Sequence, residues 1–557
     1  MNHERKCKDQ TSKIRMAESP LSGDDFLNFT FCTLTLDLAK LIGKLKPALI
    51  VFALVLVPAG AALADVRLPA VIGDNMVLQQ DEEVSIWGWA DPGEEVEATF
   101  GWTWRRLTTA ANSKGEWQFK IRSPKAGGPY KMTLKGKNTI DLDNIMSGEV
   151  WVCSGQSNMQ WSVKASANPD EEIAAAKYPN IRLFTVTRTV AHKPLDDCEG
   201  SWAPCSPETV PDFSAVAYYF GRELHKRLDV PVGLIHTSWG GTPAESWTRI
   251  EVLEAGADFQ PILTRQAEII ANYPQAYKEY EQKLQEWQKA AEEAKAEGNK
   301  PPRRPGAPRG PDHPHTPAGL YNGMIAPLIP YGIQGAIWYQ GESNAGRAYQ
   351  YQRLFPAMIM NWREDWGQRN FPFLFVQLAN FMETKDEPGD SSWAELREAQ
   401  TMTLSLPNTG MATIIDIGEA KDIHPKNKQD VGKRLALWAL AQTYEKDIVY
   451  SGPLYKSMKA EGGKIRLSFD HVGGGLVAAG GEQLKGFAVA GADRKFVWAD
   501  AKIDGDTVVV SSDDVAEPVA VRYAWADNPV CNLHNKENLP ASPFRTDNWP
   551  GLTVDAR

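Results

Sequence analysis

Cysteine is scarce in this sequence, six in 557 residues, too few and too dispersed for a disulfide framework. A chain of this length has ample core to fold without staples. No Cys/His grouping has metal-ligand spacing, so neither a metal nor another cofactor is expected. Basic runs are missing too. Sixty Lys and Arg face seventy Asp and Glu, a formal net charge of −10, and such a surface does not track a phosphate backbone; nucleic acid is excluded as a partner. Long apolar runs reduce to one, "ALIVFALVLVPAG", preceded by Lys44 and Lys46 and followed by "ALAD", with small residues at Ala62 and Ala64. That is the layout of a secretory signal, and it predicts that residues 1–64 are a leader removed after Ala64 and that the remainder is exported to the periplasm or beyond. The run is short and broken by Pro58, so no stable membrane insertion is expected after cleavage. The stretch ahead of Lys44 is long for an n-region.

Cleavage leaves Cys153, Cys198, Cys205 and Cys531. In "DDCEGSWAPCS" the spacing of Cys198 and Cys205 suits a small loop-closing bridge, whereas Cys153 reads as a buried thiol at a strand end.

What is present divides into three regions. Residues 65–146 alternate apolar and polar positions between "DPG" and "SKG" turns and predict an N-terminal β-sandwich. Residues 147–447 change pattern: "GEVWVCSG", "VPVGLIHTS", "IQGAIWYQG", "FPFLFVQLA" and "GMATIIDIG" are nearly continuous apolar runs, as in strands covered on both faces. Helical periods over "AVAYYFGRELHKRL" and "DVGKRLALWALAQTY" alternate with them, so an α/β domain with a parallel sheet is expected, its site at the carboxyl ends of the strands. An insertion interrupts it over 250–318. There Tyr277, Tyr280, Leu284, Trp287, Ala291 and Ala294 form a narrow stripe, which predicts a surface helix packed on a partner helix from "ILTRQAEIIANY", or else an oligomer contact. A proline-rich connector follows, and His313 and His315 within it are a poor metal site. Residues 448–557 return to alternation and predict a second β-domain.

The first apolar run ends at "GQSNM". Ser157 can cap a helix or act as a nucleophile, and the letters alone permit both. Met159 stands where a G-x-S-x-G elbow requires glycine, which disfavours the fold built on that turn. Other strand ends raise the odds of chemistry. "HTSWGGTPAESW" offers Gly240 and Gly241, and "WYQGESN" offers Gln340, Glu342 and Asn344, residues able to donate to an oxyanion or to shape a turn. A serine nucleophile needs an imidazole, and His424 in "KDIHPKNK" is the best placed of nine histidines, with His236 a weaker rival. Of the 19 tryptophans, most read as core. Trp239, Trp247 and Trp338 border the motifs and are the candidates for stacking on a sugar, with Glu342 beside them.

"GQSNM", "WYQGESN" and "DIHPKNK" together resemble the sialate O-acetylesterase family, a branch of the SGNH-type serine esterases. The likeness extends to "LPAVIGDNMVLQQ", "GLYNGMIAPL" and "LPASPFRTDNWPG", nearly the whole exported chain. The resemblance implies a flavodoxin-like α/β/α hydrolase domain with flanking β-sandwich modules, acting on O-acetylated carbohydrate without a metal. It implies Ser157 as nucleophile, His424 as base, and an oxyanion hole from the Ser157 N–H, Gly240 or Gly241, and Gln340 or Asn344. The acidic member is Asp422 in this reading, although D-x-H replaces the usual D-x-x-H and leaves Asp416 as a rival and a serine–histidine dyad oriented by a carbonyl as a third arrangement. Deacetylation of a plant or algal polysaccharide such as xylan, and an inactive glycan-binding protein, are the alternatives; the oligomeric state is not legible.

Overall fold

The computed structural model describes residues 65–556 apart from Arg369 and Glu482. The leader and its cleavage site lie outside the described residues. Among the described residues no helix is long and apolar enough to cross a membrane.

Seven strands build the central sheet, numbered along the chain: β1 (Thr139–Gly155), β2 (Tyr178–Thr185), β3 (Trp202–Cys205), β4 (Val232–Ser238), β5 (Gly335–Tyr339), β6 (Phe373–Val376) and β7 (Thr409–Ala412). Their spatial order is β7-β6-β5-β1-β4-β2-β3. All neighbours pair in parallel except β2 with β3. Side chains alternate through this sheet because a strand has period two. Val150 and Val152 of β1, Ala336 and Trp338 of β5, and Phe373 and Phe375 of β6 enter one buried cluster. Trp151 and Cys153, Ile337 and Tyr339, and Leu374 and Val376 enter another on the opposite face.

Six helices matter for the argument: α1 (Ser157–Gln160), α2 (Ala215–Leu228), α3 (Gln260–Ala296), α4 (Ala348–Trp366), α5 (Ser392–Met402) and α6 (Lys428–Trp438). Leu354, Phe355, Met358 and Trp362 of α4 and Leu396 of α5 cover the first face. Val216, Phe220 and Leu224 of α2 with Val431 and Leu435 of α6 cover the second. Both helices of that second layer have the start their sequence offers: Ser214 Oγ accepts from Ala217 N–H, and Asn427 Oδ1 accepts from Asp430 N–H, each satisfying an otherwise orphaned donor.

β1 is unusually long because it serves two sheets. Its first half pairs with Gly127–Lys135 of the N-terminal β-region, and its second half with β4 and β5. The N-terminal strands Glu83–Trp89 and Glu116–Arg122 pair separately, and Ile86, Ala98, Phe119 and Leu134 close a common core between them and the longer sheet. At the other end, residues 454–545 form three small antiparallel sheets around Leu467, Val489, Val508 and Phe544. The buried Arg397 of α5 donates to the carbonyls of Ala526 and Asp527 and so ties that region to the α/β sheet.

Two expectations are corrected. "ILTRQAEIIANY" and the Tyr/Trp stripe belong to one continuous helix, α3, which runs through Pro274; they are not a packed pair. The proline-rich return covers part of the stripe instead: Trp287 Nε1 donates to Pro302 O at 2.8 Å, and the Arg304 guanidinium lies over the Trp287 ring. Cys198 and Cys205 are free thiols. β3 pairs with β2 and turns Cys205 into one face's core, while Cys198 packs against the other, so the sheet separates them. Cys153 is a buried free thiol.

Candidate active site

The strand order fixes where the site forms. From β1 the chain builds β2 to β4 on one side and then crosses to build β5 to β7 on the other. The carboxyl end of β1 is therefore a switch point, where loops diverge and leave a crevice. Three strand-end loops meet there: Ser157 after β1, Trp239–Gly241 after β4, and Gln340–Asn344 after β5. The β1 and β5 backbones approach so closely that a Cβ on Gly155 would lie 2.2 Å from Tyr339 O, and Gly155 has φ +142°. Only glycine ends β1 in this way, and the end of β1 aims α1. As the first residue of α1, Ser157 has an N–H with no acceptor inside the helix.

His424 comes from the far edge. It lies beyond β7, three strands from β1, a distance of ~14 Å at ordinary strand spacing. The segment Thr413–Ile423 crosses it. His424 Nε2 then stands 3.0 Å from Ser157 Oγ. The imidazole stacks on Trp161, centroids 4.7 Å apart and planes within 16°. Asp422 explains how the shortened D-x-H spacing works: its Oδ1 accepts from the His424 N–H at 2.9 Å and lies 3.3 Å from Nδ1. One carboxylate oxygen thus holds the loop in an Asx-type turn and faces the ring nitrogen as well. Asp416 does neither. Arg434 grips both its oxygens at 2.6 and 2.7 Å, and hydrogen bonds to Arg434 and His534 outweigh burial and hold its carboxyl down to about 2.

Asn158 secures the loop from below. Its Nδ2 donates to Ile423 O at 3.0 Å and to Glu342 Oε1 at 2.7 Å, and its Oδ1 accepts from Lys428 Nζ. Burial lowers the Lys428 ammonium to about 7 and raises the Glu342 carboxyl. For His424 burial is the larger cause and the nearby Lys428 the second, and together they lower its pKa below the ordinary 6.5 against the opposing pull of Asp422.

Several sequence-level candidates sit otherwise than expected. Glu342 is half-buried, and its Oε1 accepts from Asn158 Nδ2. Trp247 and Trp338 are fully buried, edge to face with one another, because β5 and the turn after β4 send them into the α4 core. Trp239 is half-buried, with Arg188 over its ring at 6.0 Å. Both amide hydrogens of Gln340 are taken, by Thr242 O at 3.3 Å and Asn344 Oδ1 at 2.7 Å, which removes it as an oxyanion donor. Asn344 gives one amide hydrogen to Glu245. Gly240 flanks the nucleophile, its would-be Cβ 3.2 Å from Ser157 Cβ, and its N–H donates to Gln160 Oε1 at 2.8 Å. Gly241 has φ +77° with open space around it. His236 is buried on β4, bonded to Ser238 Oγ at 2.6 Å and pushed down to about 3 by burial; its partner is Ser238, whereas Ser157 pairs with His424. Asn158, Gln160, Trp161 and Lys428 were not legible as site residues, although all four stand within or next to the quoted motifs. A lysine opening a helix reads as solvated until tertiary structure covers it.

A doubly wound α/β chain that brings a serine, an imidazole and a carboxylate together at its switch point is equipped for ester hydrolysis. The profile of the family described as carbohydrate esterase, sialic acid-specific acetylesterase, matches residues 147–297 and 316–441. The chain is 31% identical over 528 residues to sialate O-acetylesterase of Mus musculus, covering 86% of this chain and 94% of that protein. It is 30% identical over 540 residues to the Homo sapiens sialate O-acetylesterase, covering 87% and 94%. A crystal structure of a carbohydrate acetylesterase from Xanthomonas citri superposes with a TM-score of 0.74 at 37% identity, covering 87% of this chain and all of that one. The chain belongs to the sialic acid-specific acetylesterase family of carbohydrate esterases.

Proposed function

We propose that the protein is a carbohydrate O-acetylesterase of the SGNH type, exported, with Ser157 as nucleophile, His424 as general base and Asp422 as the group that orients it. The single observation that carries this reading is the 3.0 Å contact between Ser157 Oγ and His424 Nε2 at the end of β1, and family membership supports the substrate class. Ser157 Oγ attacks the acetyl carbonyl while Nε2 takes its proton. The tetrahedral intermediate collapses, the sugar hydroxyl leaves with that proton, and water activated by His424 releases acetate from the acetyl-serine. The oxyanion is met by the Ser157 N–H, by the Gly240 N–H once Gln160 swings aside, and by the second amide hydrogen of Asn344. Trp239 is the aromatic surface left for the sugar. Release of acetate from an O-acetylated sialic acid or an acetylated xylo-oligosaccharide, measured beside a neutral chromogenic acetyl ester, tests the assignment. Absence of turnover on all three would leave glycan binding as the better reading.

The base must be neutral to accept the serine proton, so activity falls as pH drops through the His424 pKa. Burial and Lys428 lower that pKa, which puts the acid limb of kcat/KM below pH 6.5. Asp422 raises it, so Asp422→Asn moves the limb to still lower pH and cuts kcat, roughly 10²- to 10⁴-fold, since the tautomer is no longer held. Asp416→Asn leaves the limb in place. It lowers thermal stability instead, by about 3 kcal/mol, because Arg434 keeps a buried charge without its partner. A pH–rate profile of the two variants separates the roles; a shifted limb in Asp416→Asn would exchange the assignments.

A further inference from the structure

Asn158 follows the nucleophile in the chain and Ile423 precedes the base, and the two are bonded directly: Asn158 Nδ2 donates to Ile423 O at 3.0 Å. One amide thus ties together the neighbours of Ser157 and His424, which lie 267 positions apart in sequence. Its other hydrogen goes to Glu342 Oε1 at 2.7 Å, and its oxygen accepts from Lys428 Nζ. The three partners agree on a single orientation, because the carbonyl and the carboxylate accept and an ammonium can only donate. Asn158 is buried, so an amide turned the other way would leave these groups unpaired away from water.

Lys428 is a costly residue to bury at that place. It is fully buried, and it opens α6, where the helix dipole opposes a cation. Its ammonium is not held by a bonded carboxylate: Nζ donates to the Asn158 amide, while Glu342, Asp422 and Glu419 act on it across space. The ring centres of Tyr339 and Trp161 lie 5.3 and 5.9 Å from Nζ, and their faces return part of the solvation lost. Trp161 also stacks on the His424 imidazole, so base and ammonium share one indole. An apolar side chain of similar length would fill the space without the desolvation cost. A desolvated charge in a cleft beside the base points to a part in the chemistry.

We propose that Lys428 and Asn158 are positioning residues: the pair fixes the spacing of Ser157 and His424, and the Lys428 ammonium favours the uncharged imidazole that can accept the serine proton. This rests on the esterase reading, which gives Ser157 and His424 their roles. The charged groups that act on the imidazole are Lys428 of α6 and Asp422 of its own loop. Those that act on Lys428 are Glu342 from the β5 loop and Asp422 and Glu419 from the segment before His424. Burial brings Lys428 down to about 7, so the ammonium is charged below that pH, throughout the lower range in which His424 titrates. Removing the cation leaves Asp422 to act without that opposition, and the His424 pKa rises. The acid limb of kcat/KM then moves to higher pH, the opposite direction from Asp422→Asn.

The test compares Lys428→Met, Asn158→Leu and the double variant with wild type, by pH–rate profiles on a neutral chromogenic acetyl ester. His424 is titrated in parallel by NMR of 13C-labelled histidine, its signal assigned by its loss in His424→Ala. Methionine keeps the length and apolar character of the lysine stem, so Lys428→Met tests the charge with little change in packing. Lys428→Met is expected to lower kcat about tenfold and to move both the acid limb and the NMR titration of His424 to higher pH. Asn158→Leu cuts the tether but keeps the ammonium, so kcat should fall roughly 10²-fold with KM little changed and the limb should not rise. The double variant should lose about as much as Asn158→Leu alone, because one tether can be cut only once. A merely structural lysine would lower the unfolding midpoint in Lys428→Met and leave the limb in place. An unmoved or lowered limb in Lys428→Met, kcat within about threefold of wild type in both single variants, or losses that multiply in the double variant would overturn the positioning role. If wild type hydrolyses no ester, the NMR titration still decides: a raised His424 pKa in Lys428→Met would sustain the role of the ammonium and overturn only the esterase, and an unchanged one would overturn both.

Discussion

Ser157→Ala and His424→Ala are each expected to lower kcat on an acetyl ester by roughly 10⁴- to 10⁶-fold with KM little changed, because either change removes the attacking pair and leaves the binding surface in place. The two groups act as one device, so the double variant should lose about as much as either single one. Additive losses would instead mean that serine and imidazole work in separate steps. The fold is not at stake in either change. Ser157 Oγ has His424 as its side-chain partner, and the imidazole lies between Trp161 and solvent with a quarter of its side-chain surface exposed. Unfolding midpoints should stay close to wild type. If both purified, folded variants keep activity within tenfold of wild type, the 3.0 Å contact is a helix-start hydrogen bond and nothing more.

Gly155→Ala should be the most damaging single methyl group in the crevice. Its Cβ would stand 2.2, 2.7 and 2.9 Å from the O, C and N of Tyr339. All three are backbone atoms of a paired strand, so no rotamer change relieves the clash, and φ +142° adds strain for any L side chain. Either β5 moves or β1 ends differently, and α1 with Ser157 moves too. A loss of about 3–5 kcal/mol in urea unfolding is expected, with activity falling beyond what the remaining folded fraction explains. Gly241→Ala is the matched comparison, with φ +77° but nothing within 4 Å of the new Cβ; it should cost about 1–2 kcal/mol of backbone strain only. Equal losses in the two would show that close approach to Tyr339 is not what position 155 requires.

The strands that position the site were legible because each is covered on both faces and is therefore an unbroken apolar run. α2 was legible from its apolar spacing, and its Ser214 cap marks where it starts. The insertion was misread because spacing alone cannot tell a helix that packs on a second helix from one covered by its own returning chain. Trp247 and Trp338 were misread for a related reason. Trp338 precedes Gln340 by two residues and so points the same way from the strand, into the core, which a string of letters near a motif does not reveal. The Cys198–Cys205 spacing suggested a bridge, and the sheet standing between the two thiols forbids it.

By itself the sequence determined the chemistry available: one serine after a buried strand, one histidine before a strong helix, glycines and amides at two other strand ends, and few alternatives to any of them. These are local properties, set by residue type and periodicity. Only the tertiary structure decided which groups meet. The order β7-β6-β5-β1-β4-β2-β3 carries His424 back across the sheet to Ser157, pairs Asp416 with Arg434 and so leaves Asp422 to the imidazole. It also buries Lys428 against Asn158, next to the nucleophile. Contacts between residues hundreds of positions apart depend on strand order and loop reach, and neither is encoded in any short stretch of the chain.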